Sequence, residues 1–173
     1  MKHLLLILNL CISVTLQEAY DNANPYNEYE KYIVLEPNQI YTGAIGIYEG
    51  DIFIDCQGSI IDLQGQSGIW VYADEDYNAT LDIQYCNIIN GAIDLVNSGL
   101  TYGGIASGKI INCNFYNNNI GLKPCDESEV QIENCNFINN NYGIGIISET
   151  PIVTISYSNS WNNENDYWEN CPG

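Results

Sequence analysis

The sequence predicts an all-β fold, a single-stranded right-handed parallel β-helix (a solenoid) of about five to six coils. Three observations lead to this prediction. A short phrase recurs through the second half of the chain, apolar residues alternate with polar ones before the copies, and no helical period follows Asn22. Internal repetition on this scale is typical of repeat architectures.

The recurring phrase reads I-x-[NY]-[CS]-N-x-x-N. Its cysteine or serine position falls at Cys86, Cys113, Cys135 and Ser158, at intervals of 27, 22 and 23 residues. A fixed phrase at variable spacing indicates constant structural units joined by loops of different length. A degenerate fifth copy starts at Phe53 and contains Cys56. The clear copies are Ile83–Asn90, Ile110–Asn117, Ile132–Asn139 and Ile155–Asn162.

Each unit contains short strands. Apolar residues at period two before the cysteine, as in Leu81 and Ile83, predict a strand with one buried face. A second short apolar stretch follows the asparagines, as in Gly143–Ile146. Several strands per unit with no helix between them favour coils that lie one on another. The L-x-x-L-x-L pattern of leucine-rich repeats is missing.

The asparagines of the phrase are predicted to form structural ladders. Successive coils lie about 4.8 Å apart, so equivalent residues stack. An amide both donates and accepts, so a column of amides can hydrogen bond along the stack, and asparagine tolerates the left-handed backbone of sharp corners. One predicted column is Asn87, Asn114, Asn136 and Asn159, and the other is Asn90, Asn117, Asn139 and Asn162.

The cysteines divide into a column and two loop residues. Cys86, Cys113 and Cys135 share a position that Ser158 also occupies, which favours small, inward-facing, free thiols over disulfides. Cys125 and Cys171 lie outside the column. If the chain is exported, these two are the better candidates for disulfide bonds.

The N-terminus has the layout of a secretory signal peptide. Basic Lys2 and His3 precede an apolar run that ends near Leu16, and polar sequence follows. We therefore expect a signal over residues 1–19, a tether over 20–31, the β-helix over 32–163 and an acidic aromatic tail or partial cap over 164–173. The expected location is secreted or at the cell surface. An uncleaved anchor and a lipidated Cys11 are the alternatives.

The net charge limits the classes of partner that this chain is expected to bind. The chain has 22 acidic residues, four lysines and no arginine, for a net charge of −18. Such a chain repels phosphate backbones, so we expect no nucleic-acid partner. No other stretch is long and apolar enough to span a bilayer, so we expect no membrane span once the signal is removed. A polysaccharide or a surface protein fits this charge better.

Three segments resemble the right-handed parallel β-helix proteins of the pectin-lyase-like superfamily. They are IFIDCQGSIIDLQGQSGIWV, QIENCNFINNNYGIGI and TISYSNSWNN, and the likeness covers about residues 32 to 163. Gly103-Gly104-Ile105, Phe115–Asn118 and Phe137–Asn140 also resemble repeats of chlamydial polymorphic outer membrane proteins. This resemblance implies the fold. It does not imply one function, since the superfamily includes lyases, hydrolases, tailspikes and adhesins.

The residues that carry out the superfamily's known catalysis are missing from this chain. Its pectate lyases use a basic side chain, usually arginine, and this chain has none; its polygalacturonase motifs are also missing, and His3 is the lone histidine. A hydrolase with two bare carboxylates remains the alternative, a divergent or truncated carbohydrate-active enzyme. Its candidates are Asp62, Asp94 and Glu133.

A binding function is the preferred hypothesis. If Phe115 and Phe137 face inward, the next position faces outward and gives a surface stripe of Ile89, Tyr116, Ile138 and Trp161. Exposed aromatic rings suit sugars and protein contacts. Tyr116 and Trp161 are the candidate ligand-binding residues of a non-catalytic glycan-binding or adhesion protein with an aromatic and acidic face.

Two loop features complete the candidates. No cofactor is expected, although Asp74 and Asp76 lie in an acidic loop of the kind that supplies oxygen ligands to calcium. Asn78 begins an Asn-Ala-Thr sequon, a glycosylation site if the source is eukaryotic.

Overall fold

The computed structural model describes residues 14–92, 97–148, 150–167 and 171. Within them the chain is a parallel β-helix of about six turns, which confirms the predicted fold class. Each coil crosses a first, a second and a third sheet in that order. A strand therefore pairs in parallel with strands of the coils before and after it, one repeat away in sequence. The exception is Asn24–Tyr26, which pairs antiparallel with the next strand, Tyr29–Val34.

The sheets are built from short strands. The first sheet contains β2 (Asn24–Tyr26), β3 (Tyr29–Val34), β6 (Gly50–Asp55), β9 (Ala79–Gln84), β12 (Ser107–Ile111), β15 (Glu129–Glu133) and β18 (Ile152–Ser156). The second contains β1 (Val14–Thr15), β4 (Ile40–Thr42), β7 (Ile60–Asp62), β10 (Asn87–Ile89), β13 (Asn114–Tyr116), β16 (Asn136–Ile138) and β19 (Asn159–Trp161). The third contains β5 (Ile45–Ile47), β8 (Ile69–Ala73), β11 (Ser98–Gly104), β14 (Ile120–Pro124), β17 (Tyr142–Ile144) and β20 (Asn165–Tyr167).

The core lies inside the coil. Alternation places Leu81 and Ile83 of β9 inward and fully buried, as the period-two pattern predicts. In the second sheet the rings of Phe115 and Phe137 stack with centroids 4.9 Å apart and planes 10° from parallel, and neither ring is exposed. Burying each such ring contributes roughly 1.5–3 kcal/mol, so the stacked column stabilises the middle coils.

The N-terminal end of the core is covered by a helix, α1 (Leu16–Asp21). Thr15 and Glu18 form a capping box at its start, and Leu16 is fully buried in the core. Within the segment predicted as a tether, 20–31, β2 and the start of β3 lie in the first sheet. Of the expected signal, residues 1–13 lie outside the described residues. No helix in the described ranges is both long and apolar enough to cross a membrane.

The degenerate fifth copy is offset by one residue from the predicted frame. Ile54, and not Phe53, pairs with Ile83. Two extra residues then lengthen the corner before Ile60, which pairs with Asn87. The sequence frame missed this because an insertion at a corner leaves the strands on both sides unchanged.

Candidate functional site

The second sheet carries the predicted aromatic stripe on its outer surface. Parallel pairing aligns Ile89 with Tyr116, Tyr116 with Ile138, and Ile138 with Trp161. Tyr116 is 45% exposed and Trp161 63% exposed. The two rings lie two coils apart, a separation of about 10 Å at roughly 4.8 Å per coil.

Asparagine side chains flank the stripe on both sides. Asn114 donates to Asn87 at 2.8 Å, and Asn136 donates to Asn114 at 2.9 Å. On the other side Asn117 donates to Asn90 at 2.8 Å, and Asn162 donates to Asn139. The members of this second column have φ between 56° and 58°, the left-handed backbone that asparagine tolerates at a corner: Asn90, Asn117, Asn139 and Asn162. The ladders hold the stripe on a flat, amide-lined surface.

A third, inward-facing ladder was missed by the sequence reasoning. Asn118 and Asn140 are each 3% exposed, and Asn163 continues the column. Their side chains bond backbone groups of the neighbouring coil: Asn140 accepts from the Asn118 N–H at 2.9 Å, and Asn163 accepts from the Asn140 N–H at 2.8 Å. The available signal was the run of consecutive asparagines after the phrase, in which successive residues face different sides of a corner.

In the predicted cysteine column two thiols are free and one is in a disulfide bond. Cys56 and Cys86 form a disulfide between adjacent coils, with Cα atoms 4.9 Å apart, so the prediction of a free Cys86 is wrong. Adjacent coils bring the two Cα atoms within ordinary disulfide range. Cys113 and Cys135 are free and buried, as predicted. Cys125 and Cys171 are also free, which contradicts their assignment as the better candidates for disulfide bonds.

The candidate carboxylates do not converge. Asp62 lies in β7 of the second sheet and accepts hydrogen bonds from the Asn90 amide and the Gln64 N–H, each at 3.0 Å. Glu133 is exposed at the end of β15, in the first sheet and three coils further along. Asp94 lies outside the described residues. A glycosidase needs two carboxyls about 5–10 Å apart across one cleft, and these two strands face different sides of the coil.

The acidic loops lie away from the stripe. Asp74–Asp76 and Asp126–Glu129 occupy the corner between the third and first sheets, whereas the stripe lies on the second. The expected single face that is both aromatic and acidic is therefore divided into two surfaces.

Of the two calcium candidates, Asp74 binds the backbone of its own loop through its carboxylate. Oδ1 of Asp74 accepts the N–H groups of Asp76 at 3.0 Å and of Tyr77 at 2.9 Å. In the described part of the chain no three His, Cys, Asp or Glu side chains are placed to hold a metal ion together. Asn78, the sequon residue, is exposed in the same loop.

A groove of about 370 Å³ crosses the outer surface of the first sheet and was not foreseen. Its central carboxylate, Asp82, accepts the Tyr29 hydroxyl at 2.8 Å and the Lys109 N–H at 2.9 Å. Burial, and next the hydrogen bond to Asp82, raise the pKa of Tyr29 above its ordinary value. Asp51 on the same surface accepts the Thr80 hydroxyl at 2.7 Å. Both carboxylates tie neighbouring strands together.

Comparison with known proteins returns no relative. No family model, no curated protein and no solved structure matches this chain. The fold and the geometry of its surfaces therefore carry the functional argument.

Proposed function

We propose that this chain is an exported, non-catalytic β-helix protein that binds neutral glycans through the aromatic stripe. The observation that carries the proposal is the pair of exposed rings, Tyr116 and Trp161, held in one outward column two coils apart. Flat aromatic faces bury the apolar side of a sugar ring. Their separation of about 10 Å is comparable to the length of a disaccharide in an extended chain.

The surroundings of the stripe favour a neutral ligand. Ladder amides flank it, and Asp62 is the carboxylate aligned with it, next to Ile89 in register. An anionic polysaccharide would have to approach a chain with a net charge of −18, which repels it at long range. Amides and rings bind neutral hydroxyl-rich ligands without that penalty.

The resemblance to the pectin-lyase-like superfamily supports the architecture of this protein and no particular activity. The repeated phrase and its stacked strands resemble those of pectin-lyase-like β-helices, and we infer that this chain shares their architecture. Export agrees with the Cys56–Cys86 disulfide, since disulfides persist in oxidising compartments. It also agrees with the basic and apolar start of the chain, provided that any cleavage falls before Leu16, which packs in the core.

The test is a glycan array combined with a turnover screen on neutral and uronate polysaccharides. We expect binding to neutral glycans without cleavage, weakened about tenfold by Trp161→Ala or Tyr116→Ala, because rigid aromatic anchors dominate such contacts. Tyr77→Ala, which removes an equally exposed ring elsewhere, is the matched control and should bind normally. Cleavage that is lost in Asp62→Asn or Glu133→Gln would overturn the proposal and identify an enzyme.

A further inference from the structure

A second aromatic surface lies at the corner between the third and first sheets. Tyr48, Tyr72 and Tyr77 surround an open hollow of about 450 Å³, with Glu49 and Asp74 beside them. We call this the tyrosine hollow. It belongs to coil 1 (β3 to β5) and coil 2 (β6 to β8), counting coils from β3 so that coil 6 is β18 to β20. It lies on a different side of the molecule from the aromatic stripe.

Backbone features place two of the three rings, and a turn positions the third residue. A side chain at Gly46 would come within 2.6 Å of the Tyr48 ring, so glycine lets that ring lie against the strand. The Tyr72 ring lies over Gly104 in the same way, at 3.2 Å from the position of an added Cβ. Tyr77 closes a turn in which the Asp74 N–H donates to its carbonyl at 3.0 Å. Backbone contacts therefore position the Tyr48 and Tyr72 sides of the hollow.

The chemistry of the hollow is unused within the protein. Tyr48 and Tyr77 are 60% and 59% exposed, and Tyr72 is 38% exposed. Among the described residues, none of the three rings contacts another ring and none of their hydroxyls has a hydrogen-bond partner. Ring faces, which carry negative potential, are thus available to a ligand, and Glu49 and Asp74 add negative charge beside them, although Oδ1 of Asp74 already accepts two N–H groups of its loop.

The charge around the hollow has one sign. A neighbouring hollow of about 360 Å³ shares Tyr72 and Asp74 and is lined further by Glu75, Asp126 and Glu127. No lysine of the described chain lines either hollow. An anionic ligand would be repelled here, and an uncharged one would leave the carboxylates without a role.

The chain already binds its own cations in this manner. The Lys31 Nζ lies 4.6 Å from the centroid of the Tyr20 ring, and the Lys123 Nζ lies 5.1 Å from that of Trp70. A cation within about 6 Å of an aromatic face is attracted by the ring quadrupole. The tyrosine hollow offers the same contact with no internal cation to fill it.

We propose that the tyrosine hollow binds a lysine or arginine side chain of a basic partner polypeptide. The cation lies among the three rings, with Glu49 and Asp74 balancing its charge. The neighbouring acidic hollow receives a second basic residue of the same segment, which is why a polypeptide fits better than a small ammonium compound. This site is separate from the glycan-binding proposal and does not depend on it.

The experiment measures binding of a fluorescent lysine-rich peptide and an arginine-rich peptide by anisotropy, at low and at physiological salt. Tyr77→Ala leaves the net charge unchanged, and we expect it to weaken binding about tenfold, which corresponds to about 1.4 kcal/mol. Glu49→Gln is compared with Glu164→Gln, an exposed acid in coil 6 with the same charge change. We expect only Glu49→Gln to weaken binding by more than about threefold.

Several outcomes would overturn the proposal. Equal effects of Glu49→Gln and Glu164→Gln, or unchanged binding by Tyr77→Ala, would show that the peptide is held only by the overall negative charge. Tetramethylammonium binding as tightly as the peptide would make the ligand a small ammonium compound. Trp161→Ala should bind the peptide normally, and Tyr77→Ala should bind glycans normally, so the two proposals fail independently. Urea unfolding of Tyr77→Ala, matched to the parent chain, verifies that the fold is intact.

Discussion

The side chain of Asn140 bridges two coils inside the protein: its oxygen accepts the Asn118 N–H at 2.9 Å, and its nitrogen donates to the Phe115 carbonyl at 3.1 Å. Both partners are backbone groups, and Asn140 is 3% exposed. The inward ladder therefore hydrogen bonds neighbouring coils to each other at the corner, as strand pairing does in the sheets. It satisfies backbone groups that water cannot reach.

Replacing Asn140 should destabilise the protein more than replacing an outward ladder residue. Asn140→Ala leaves the buried Asn118 N–H without its partner and removes a hydrogen bond to the Phe115 carbonyl, and we expect a loss of about 2–4 kcal/mol in the free energy of unfolding. Asn136→Ala removes a partly exposed bond to Asn114, with an expected loss below about 1.5 kcal/mol. Urea unfolding of both variants provides the measurement. Equal losses would contradict the structural role assigned to the inward ladder.

The Cys56–Cys86 disulfide should contribute substantially to stability. It closes a loop with a sequence separation of 30, for which restriction of the unfolded chain stabilises by about 3–4 kcal/mol. The double variant Cys56→Ala, Cys86→Ala should lose that amount in urea unfolding, whereas Cys125→Ser, at a free cysteine, should lose little. If Cys56 and Cys86 are both alkylated in denaturant without reductant, the disulfide is absent and the prediction is wrong.

The Cys125 thiol should be alkylated more slowly than an equally exposed thiol with an ordinary pKa. Partial burial, and next the charge of Asp126, raise its pKa from 9.0 to about 11. A raised pKa keeps the thiol protonated, so its thiolate fraction at pH 8 falls roughly a hundredfold, and the higher nucleophilicity of that thiolate offsets about tenfold. We expect native alkylation roughly tenfold slower than in 8 M urea, measured by peptide mass spectrometry. The native rate should rise steadily from pH 8 to 10, and a rate that levels off below pH 9 would contradict the assignment.

The segment Val14–Tyr20 should be part of the folded domain. A chain that begins at Val14 retains Leu16 in the core, and one that begins at Tyr20 does not. Loss of a fully buried leucine costs about 2–5 kcal/mol, so the shorter chain should unfold at lower urea concentration. Leu16→Ala in the longer chain is the matched control and should account for most of the difference. Equal stability of the two chains would show that α1 contributes nothing to the core.

The candidate site was predictable in part. Tyr116 and Trp161 follow from the repeat, because the residue one position after the inward slot, which Phe115 fills in one copy and Ser160 in another, must face outward in a strand. The tyrosine hollow was not predictable, because Tyr48, Tyr72 and Tyr77 lie outside the repeated phrase and meet only through stacking of coils 1 and 2. The Cys56–Cys86 pair was missed for another reason: the shared position favoured free inward thiols, and only the structure shows two of these cysteines close enough to bond.

The sequence by itself determined the coil, its repeat length and the stacking of its asparagines. These features are local or periodic: alternation selects the buried face, and one phrase turns the corner in the same way at each repeat. The tertiary structure decided which surfaces exist. Loop lengths between the phrases set which side chains meet at a corner, so that Tyr77 joins Tyr48 while the acidic loops separate from Trp161. Contacts across an irregular loop depend on the path of the chain in three dimensions, and no period in the sequence records that path.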